Sequence, residues 1–348
     1  MNILNNKKPT ITDVAKKAGV SIKTVSRVVN KEPNVSDGTR EKVQTAIDLL
    51  NYQPNFSARQ LAGNRSFSIG LLYENPHEFN YMKGVLDGVF EACTKHGYSL
   101  LLRPCNFPVA ALLHDVTQFL QQTQVDGVIL TAPLGDVPEL LDLLQRNNTP
   151  FAQISPNDES PRSTWVSSND LGASEMLTDY IVSLGHRRIG FIKGPPNHSA
   201  TNFRYQGYRN CLKQHGIAFE KTLVKSGSFD FESGQKAARK LLSLPAPPTA
   251  IIASNDDMAS GVIQVAHELG MALPGQLSVA GFDDTPLASR LWPQLTTVKQ
   301  PISEMATAVT GLLMNDIRDK SPNTQHRRFE FELVVRDSTL PPEASIKD

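Results

Sequence analysis

From Ser66 to about residue 300, short apolar runs alternate with stretches of helical periodicity, and this alternation restricts the fold more than any other feature of the chain. SFSIGLLYE, YSLLLRP, VDGVILTAP and PFAQIS form one series, with helices expected near 79–96, 109–123 and 136–147. WVSSN, RRIGFIKGP, TLVKSG, AIIASN and LSVAGF form a second, interleaved with helices expected near 170–184, 202–215, 231–243 and 256–269. Apolar runs of that length between amphipathic helices imply parallel strands covered on both faces. Two α/β lobes with a cleft between them follow. LTTVKQ, a helix near 301–319 and FEFELVV have no sheet of their own, so they return to the two lobes.

The N-terminal stretch obeys a different period. In TITDVAKKAGVSIKTVSRVVN, Thr10 and Asp13 fit a capping box, and the helix they start puts Ile11, Val14, Ala15 and Ala18 on one face. Gly19 ends it with a residue that tolerates left-handed backbone, and Ser21 offers a cap for a second helix to about Asn30. A third helix from Ser36 to Leu50 carries Val43, Ala46, Ile47 and Leu50 at helical spacing. Two short helices joined by a tight turn, with a third completing their core, make a helix-turn-helix.

Charge separates the same two regions. The chain of 348 residues is neutral overall, but residues 1–65 carry +6 and the remainder −6. A basic module joined to an acidic body fits a polyanion-binding head on a part that does not touch the polyanion. In a helix-turn-helix the second helix enters the major groove, so Ile22, Lys23 and Arg27 meet base edges. Arg27 has the geometry to donate twice to guanine, Lys23 to reach a base or a phosphate, and Ile22 to pack on a thymine methyl. Ser21, Thr24 and Asn30 are candidate phosphate contacts.

In doubly wound folds, ligands bind beyond the carboxyl ends of the strands. Asn255 and Asp256 follow AIIAS, Asp283 and Asp284 follow SVAGF, Ser155 follows FAQI, and Arg204 opens the helix after GFIKGP. Arg and Asp with opposed donor and acceptor character grip vicinal hydroxyls, and Phe229 suits the apolar face of a sugar. Asn or Asp after a strand also caps the next helix, and Asp256 is placed to do so.

ITDVAKKAGVS, TVSRVVN, VSDGTREKV and LNYQPN, in this order and spacing, resemble the headpiece of the lactose-repressor (LacI/GalR) family. GHRRIGFIKGPPNHSATNFRYQGY, ASNDDMASG and SVAGFDDTPLAS are similar to that family's sensor motifs, so the resemblance covers nearly the whole chain. It implies a helix-turn-helix headpiece over about 9–54 and a hinge and linker over about 55–65. A two-lobed, periplasmic-binding-protein-like core over about 66–340 and a tail of 341–348 complete the chain. The core divides into a first lobe of about 66–165 plus 299–325 and a second of about 166–298 plus 326–340.

By the same resemblance, the hinge supplies Ala58 and Leu61, with Leu61 a wedge between base steps in the minor groove. Arg204, Asn255 and Asp283 become the leading effector contacts, and Tyr81 and Phe229 line the pocket with Ser155. His198 and Ala200 depart from the polar positions of purine-sensing relatives, which favours a sugar or sugar-like effector. A homodimer reading a pseudo-palindromic double-stranded operator is expected, because one helix-turn-helix reads too few base pairs.

No signal peptide or membrane-spanning run is legible, so the chain is expected in the cytoplasm. Cys93, Cys105 and Cys211 form no CxxC pair, and the eight histidines lack metal-ligand spacing. Phosphate loop, GxGxxG, HExxH and GxSxG motifs are missing too. Neither catalytic residues nor metal nor cofactor are expected, which separates this reading from a sugar kinase or oxidoreductase. The remaining alternative, a solute-binding protein serving a transporter, conflicts with the headpiece.

Overall fold

The computed structural model describes residues 9–29, 34–52, 65–74, 79–159, 163–319 and 324–343. They form two compact units that divide between Phe67 and Ser68.

The first unit is three helices, α1 (Ile11–Ala18), α2 (Ile22–Val29) and α3 (Asp37–Leu50). The Asp13 carboxylate closes the start of α1, taking 2.8 Å and 2.7 Å hydrogen bonds from the Thr10 amide and hydroxyl. Gly19 ends the helix at φ 67°, a conformation that strains any residue with a Cβ. Ser21 Oγ then accepts the Thr24 amide at 3.1 Å and starts α2. Val14, Val25, Val28, Val43 and Ala46 meet in the core.

The second unit holds two six-stranded sheets. Its helices are α4 (Phe79–His96), α5 (Val109–Thr123), α6 (Pro138–Arg146), α7 (Asp170–Ser183), α8 (Ser199–Gln214), α9 (Phe231–Leu242), α10 (Asp256–Glu268) and α11 (Ile302–Asp319). The strands of the first sheet are β1 (Ser68–Glu74), β2 (Ser99–Cys105), β3 (Gly127–Leu130), β4 (Phe151–Ile154), β5 (Thr164–Ser168) and β11 (His326–Phe329), ordered β11-β5-β4-β3-β1-β2 and parallel throughout. The second sheet contains β6 (Ile189–Lys193), β7 (Val224–Ser226), β8 (Ala250–Ala253), β9 (Ser278–Asp283), β10 (Thr296–Lys299) and β12 (Glu332–Val334), ordered β12-β10-β9-β8-β6-β7. Only β12 runs antiparallel there.

Parallel strands buried on both faces match the expected layering, as in the all-buried β3, β8 and β9. The strand WVSSN, however, belongs to the first sheet and does not open the second. Ala152 pairs with Thr164 and Ile154 with Val166, so the chain first crosses between lobes after Ser168. The segment assigned to the second lobe from residue 326 is corrected likewise, because His326–Phe329 pairs with β5. Apolar periodicity identifies a strand but does not say which sheet edge it joins. The lobes are thus linked three times, after β5, β10 and β11.

Helix α11 returns to the first lobe and lies along α4. Gly88 allows this close approach, since a Cβ there would collide with the Ser303 carbonyl oxygen. The first lobe therefore closes around a helix supplied from beyond the second.

Candidate functional site

On α2, Ile22 is 49% exposed and Lys23 is exposed, while Val25 and Val28 are buried. Burial thus separates a packed stripe from a face offered outward, with Thr24 and Arg27 half-buried at its border. The Ser21 and Thr24 hydroxyls lie 2.8 Å apart, so each has part of its hydrogen-bonding capacity committed to the cap. Asn30, Ala58 and Leu61 lie outside the described residues.

In the second unit, one cleft collects all six residues expected to meet an effector: Tyr81 on α4, Ser155 after β4, Arg204 on α8, Phe229 after β7, Asn255 after β8 and Asp283 at the end of β9. Its unfilled space is about 460 Å³, the open mouth included. Asp170, His198, Ser199 and Gln300 line it as well, with Ala132 and Ala200. Asp170 and Gln300 follow β5 and β10, where inspecting the residue after each apolar run reaches them.

Arg204 is the pivot. Its Nε donates to Asp170 Oδ1 at 2.7 Å, one Nη donates to the Ser254 carbonyl, and the other stands 3.4 Å from Asp283 Oδ1. The guanidinium lies 3.8 Å over the Phe282 ring. Burial opposes its charge, but Asp170 and Asp283 outweigh burial and hold Arg204 above its ordinary pKa. A fixed guanidinium with N–H groups to spare presents directed donors without reordering.

Asp283 is buried and accepts from Gln300 Nε2 at 2.7 Å. Burial pushes its pKa up to about 7, although Arg204 and Gln300 pull it down. Asn255 caps α10, accepting the Met258 amide at 2.9 Å, and its Nδ2 donates to the Phe229 carbonyl at 2.8 Å. The cap is therefore Asn255 and not Asp256. Asp256 is fully buried and accepts instead from Thr285 and Thr297.

Three of the cleft residues stand in left-handed backbone: Ser155 at φ 51°, Phe229 at φ 59° and Asp283 at φ 107°. Such conformations cost roughly 1–3 kcal/mol each for non-glycine residues and cluster where strain serves a site. Both lobes contribute to the mouth: His198 Nε2 meets Glu74 Oε2 at 3.0 Å, Asn80 Nδ2 donates to Asp257 at 2.7 Å, and Ser199 Oγ donates to the Ser155 carbonyl at 3.2 Å.

A helix-turn-helix unit and a two-lobed α/β unit with a polar cleft define a ligand-sensing DNA-binding regulator. Residues 10–55 match the pattern of "Bacterial regulatory proteins, lacI family", and residues 178–339 match "Periplasmic binding protein-like domain". The chain is 34% identical over 336 residues to the HTH-type transcriptional repressor PurR of Photobacterium profundum, covering 94% of this chain and 98% of that protein. It is 33% identical over 333 residues to the ribose operon repressor of Escherichia coli (strain K12), with the same shares covered. Among solved structures, the Lac repressor dimer bound to operator and the anti-inducer ONPF superposes with a TM-score of 0.76 at 29% identity, covering 96% of this chain and 100% of that one. The CelR–cellobiose complex gives 0.73 at 30% identity, covering 95% and 100%. The chain belongs to the lacI family of bacterial regulatory proteins.

No helix among the described residues is long and apolar enough to cross a membrane.

Proposed function

We propose that this chain represses transcription as a cytoplasmic homodimer on a pseudo-palindromic operator, and that a neutral polyhydroxylated metabolite bound between the lobes sets its operator affinity. The observation that carries the reading is the convergence of Tyr81, Ser155, Arg204, Phe229, Asn255 and Asp283 on one cleft. Relatives include the ribose operon repressor and a regulator complexed with cellobiose, and those reported above are regulators, not enzymes.

Charge narrows the ligand. Arg204 is matched by Asp170 and Asp283, and His198 faces Glu74. An anionic effector would meet those carboxylates with a cation already committed, whereas hydroxyls donate to Asp283 and accept from Arg204 together. Phe229 supplies a face for the apolar side of a sugar ring.

Binding energy reaches the operator only through differential affinity, because a ligand shifts a two-state equilibrium by the difference in its binding to the two states. The proposed route runs from lobe closure to the hinge of about residues 55–65, with Leu61 as its wedge. The test is fluorescence anisotropy on the chain's own upstream intergenic DNA at fixed salt, with a panel of neutral sugars, sugar acids and nucleosides. Tight palindrome-specific binding shifted by a neutral sugar is expected. Weak, salt-sensitive binding unaffected by any compound defeats the regulator reading, and a shift by a nucleoside or a sugar acid defeats the ligand class. Leu61→Ala is expected to weaken operator binding with effector affinity unchanged, and unaltered operator binding removes the wedge.

A further inference from the structure

We propose that Asp179, Cys211 and His215 form a binding site for a divalent transition ion of the zinc class on the second lobe, away from the effector cleft. Cys211 and His215 lie one turn apart at the end of α8, where the His215 amide donates to the Cys211 carbonyl at 3.1 Å. Asp179 faces them from α7. Each residue offers one ligand atom, and the three atoms lie within 4.8 Å of one another. Among the described residues this is the one group of three or more His, Cys, Asp or Glu ligand atoms so closely gathered. His215 Nε2 already stands 2.6 Å from Asp179 Oδ1.

The donor set suits the ion. Thiolate, imidazole and carboxylate together are typical of zinc, with bonds of about 2.3, 2.0 and 2.0–2.2 Å. Tetrahedral geometry at those lengths needs ligand atoms roughly 3.3–3.5 Å apart, so the exposed His215–Asp179 pair must open from 2.6 Å while both draw toward the thiol. The Asp179 and His215 side chains are 62% and 37% exposed, while Cys211 is buried. Ion entry and adjustment therefore come from the solvent side, against a fixed sulfur.

The helices that carry the ligands are rigidly paired. Ser174 Oγ donates to the Arg204 carbonyl at 2.6 Å, and Asn210 Nδ2 donates to Glu175 Oε1 at 2.8 Å. Packing of this kind holds ligands in place before the ion arrives. Three protein ligands leave a fourth position, which water can take.

Without the ion Cys211 is a free, buried thiol. Binding forms the sulfur–metal bond and breaks S–H, and the proton leaves to solvent with no redox change. In the free chain Nε2 carries the proton that Asp179 accepts; on binding the ring gives it up, holds one on Nδ1 instead, and coordinates through the freed Nε2 lone pair. With the thiolate and carboxylate each contributing one negative charge, a dication leaves the site neutral. Asp179 comes from a second helix, so local spacing along α8 shows only Cys211 and His215.

The test is titration of the reduced, metal-stripped full-length chain with Co²⁺, followed by Zn²⁺ competition. A near-ultraviolet thiolate-to-cobalt band saturating at one ion per chain, displaced by zinc with proton release, is expected. His215→Ala, a surface change that leaves the core intact, is expected to weaken the ion by more than the roughly 10–100-fold that loss of even an outer partner costs. Cys211→Ser removes the band altogether. Zinc should raise the melting temperature of the wild-type chain and not that of His215→Ala. Absence of the band, binding without it, or a band unchanged in His215→Ala overturns the site.

Discussion

Glu74 Oε2 and His198 Nε2 lie 3.0 Å apart although they belong to different lobes, Glu74 ending β1 and His198 preceding the first turn of α8. With Asn80–Asp257, this pair bridges the cleft only when the lobes are together. A carboxylate–imidazole hydrogen bond with its ring buried contributes about 0.5–1.5 kcal/mol, so Glu74→Ala should move the closed-to-open ratio by roughly 2- to 13-fold. Adding Asn80→Ala should enlarge the shift. Small-angle scattering of the effector-free chain and effector affinity check it together: both should change, and an unchanged pair of values means that these bonds do not hold the lobes closed.

Asp283 gives effector binding a pH dependence whose sign follows from its role. If hydroxyls donate to its carboxylate, affinity rises as pH passes upward through about 7, where burial has placed its pKa. Stability runs the other way. A folded pKa raised above the ordinary value contributes stability that is full below the usual aspartate range and lost as pH climbs toward 7. Calorimetric titration of wild type and Asp283→Asn over this range separates the two effects. The variant should lose most affinity and all of this dependence, and a retained pH slope assigns the titration to another group.

Arg27 is expected to read a base and not merely a phosphate. Loss of a bidentate contact should cost roughly 1–3 kcal/mol at one operator position and relax preference there. Competition binding of Arg27→Ala against single-base operator variants gives the answer. Uniform weakening across all variants, with a shallower salt slope, would make Arg27 a phosphate contact.

Local chemistry carried much of the structure into the sequence. Thr10, Asp13 and Gly19 specify their turn by hydrogen bonding and backbone freedom, which need no distant partner. The cleft residues were legible because strand ends in parallel sheets are where ligands go, although their shared location required the fold. Sheet membership of β5 and β11 was hidden, since a buried run is equally apolar on either side of a lobe boundary. The exchange of roles between Asn255 and Asp256 was hidden too. Only the Thr285 and Thr297 donors, far along the chain, decide which of two adjacent polar residues turns inward.

His186 is expected to make the second lobe sensitive to acid. Its Nε2 lies 2.9 Å from the Leu340 carbonyl, which can only accept, so Nε2 carries the proton and Nδ1 accepts from Thr249 Oγ1 at 2.8 Å. The ring joins the start of β6 to the segment after β12, where Ser278 Oγ also meets Leu340. Burial lowers its pKa, against the opposing pull of the Leu340 hydrogen bond. The unfolded chain therefore binds the extra proton first, and stability is full above the ordinary histidine pKa of about 6.5 and declines as pH falls below it. Urea unfolding of the wild-type chain should show its midpoint falling between about pH 7.5 and 5.5, the window in which a histidine titrates. His186→Asn should start lower, by about 1–3 kcal/mol if partners are left unsatisfied, and follow a flatter pH course. If the variant retains the full acid slope, the sensitivity belongs elsewhere and His186 acts in the second lobe only as a neutral bridge.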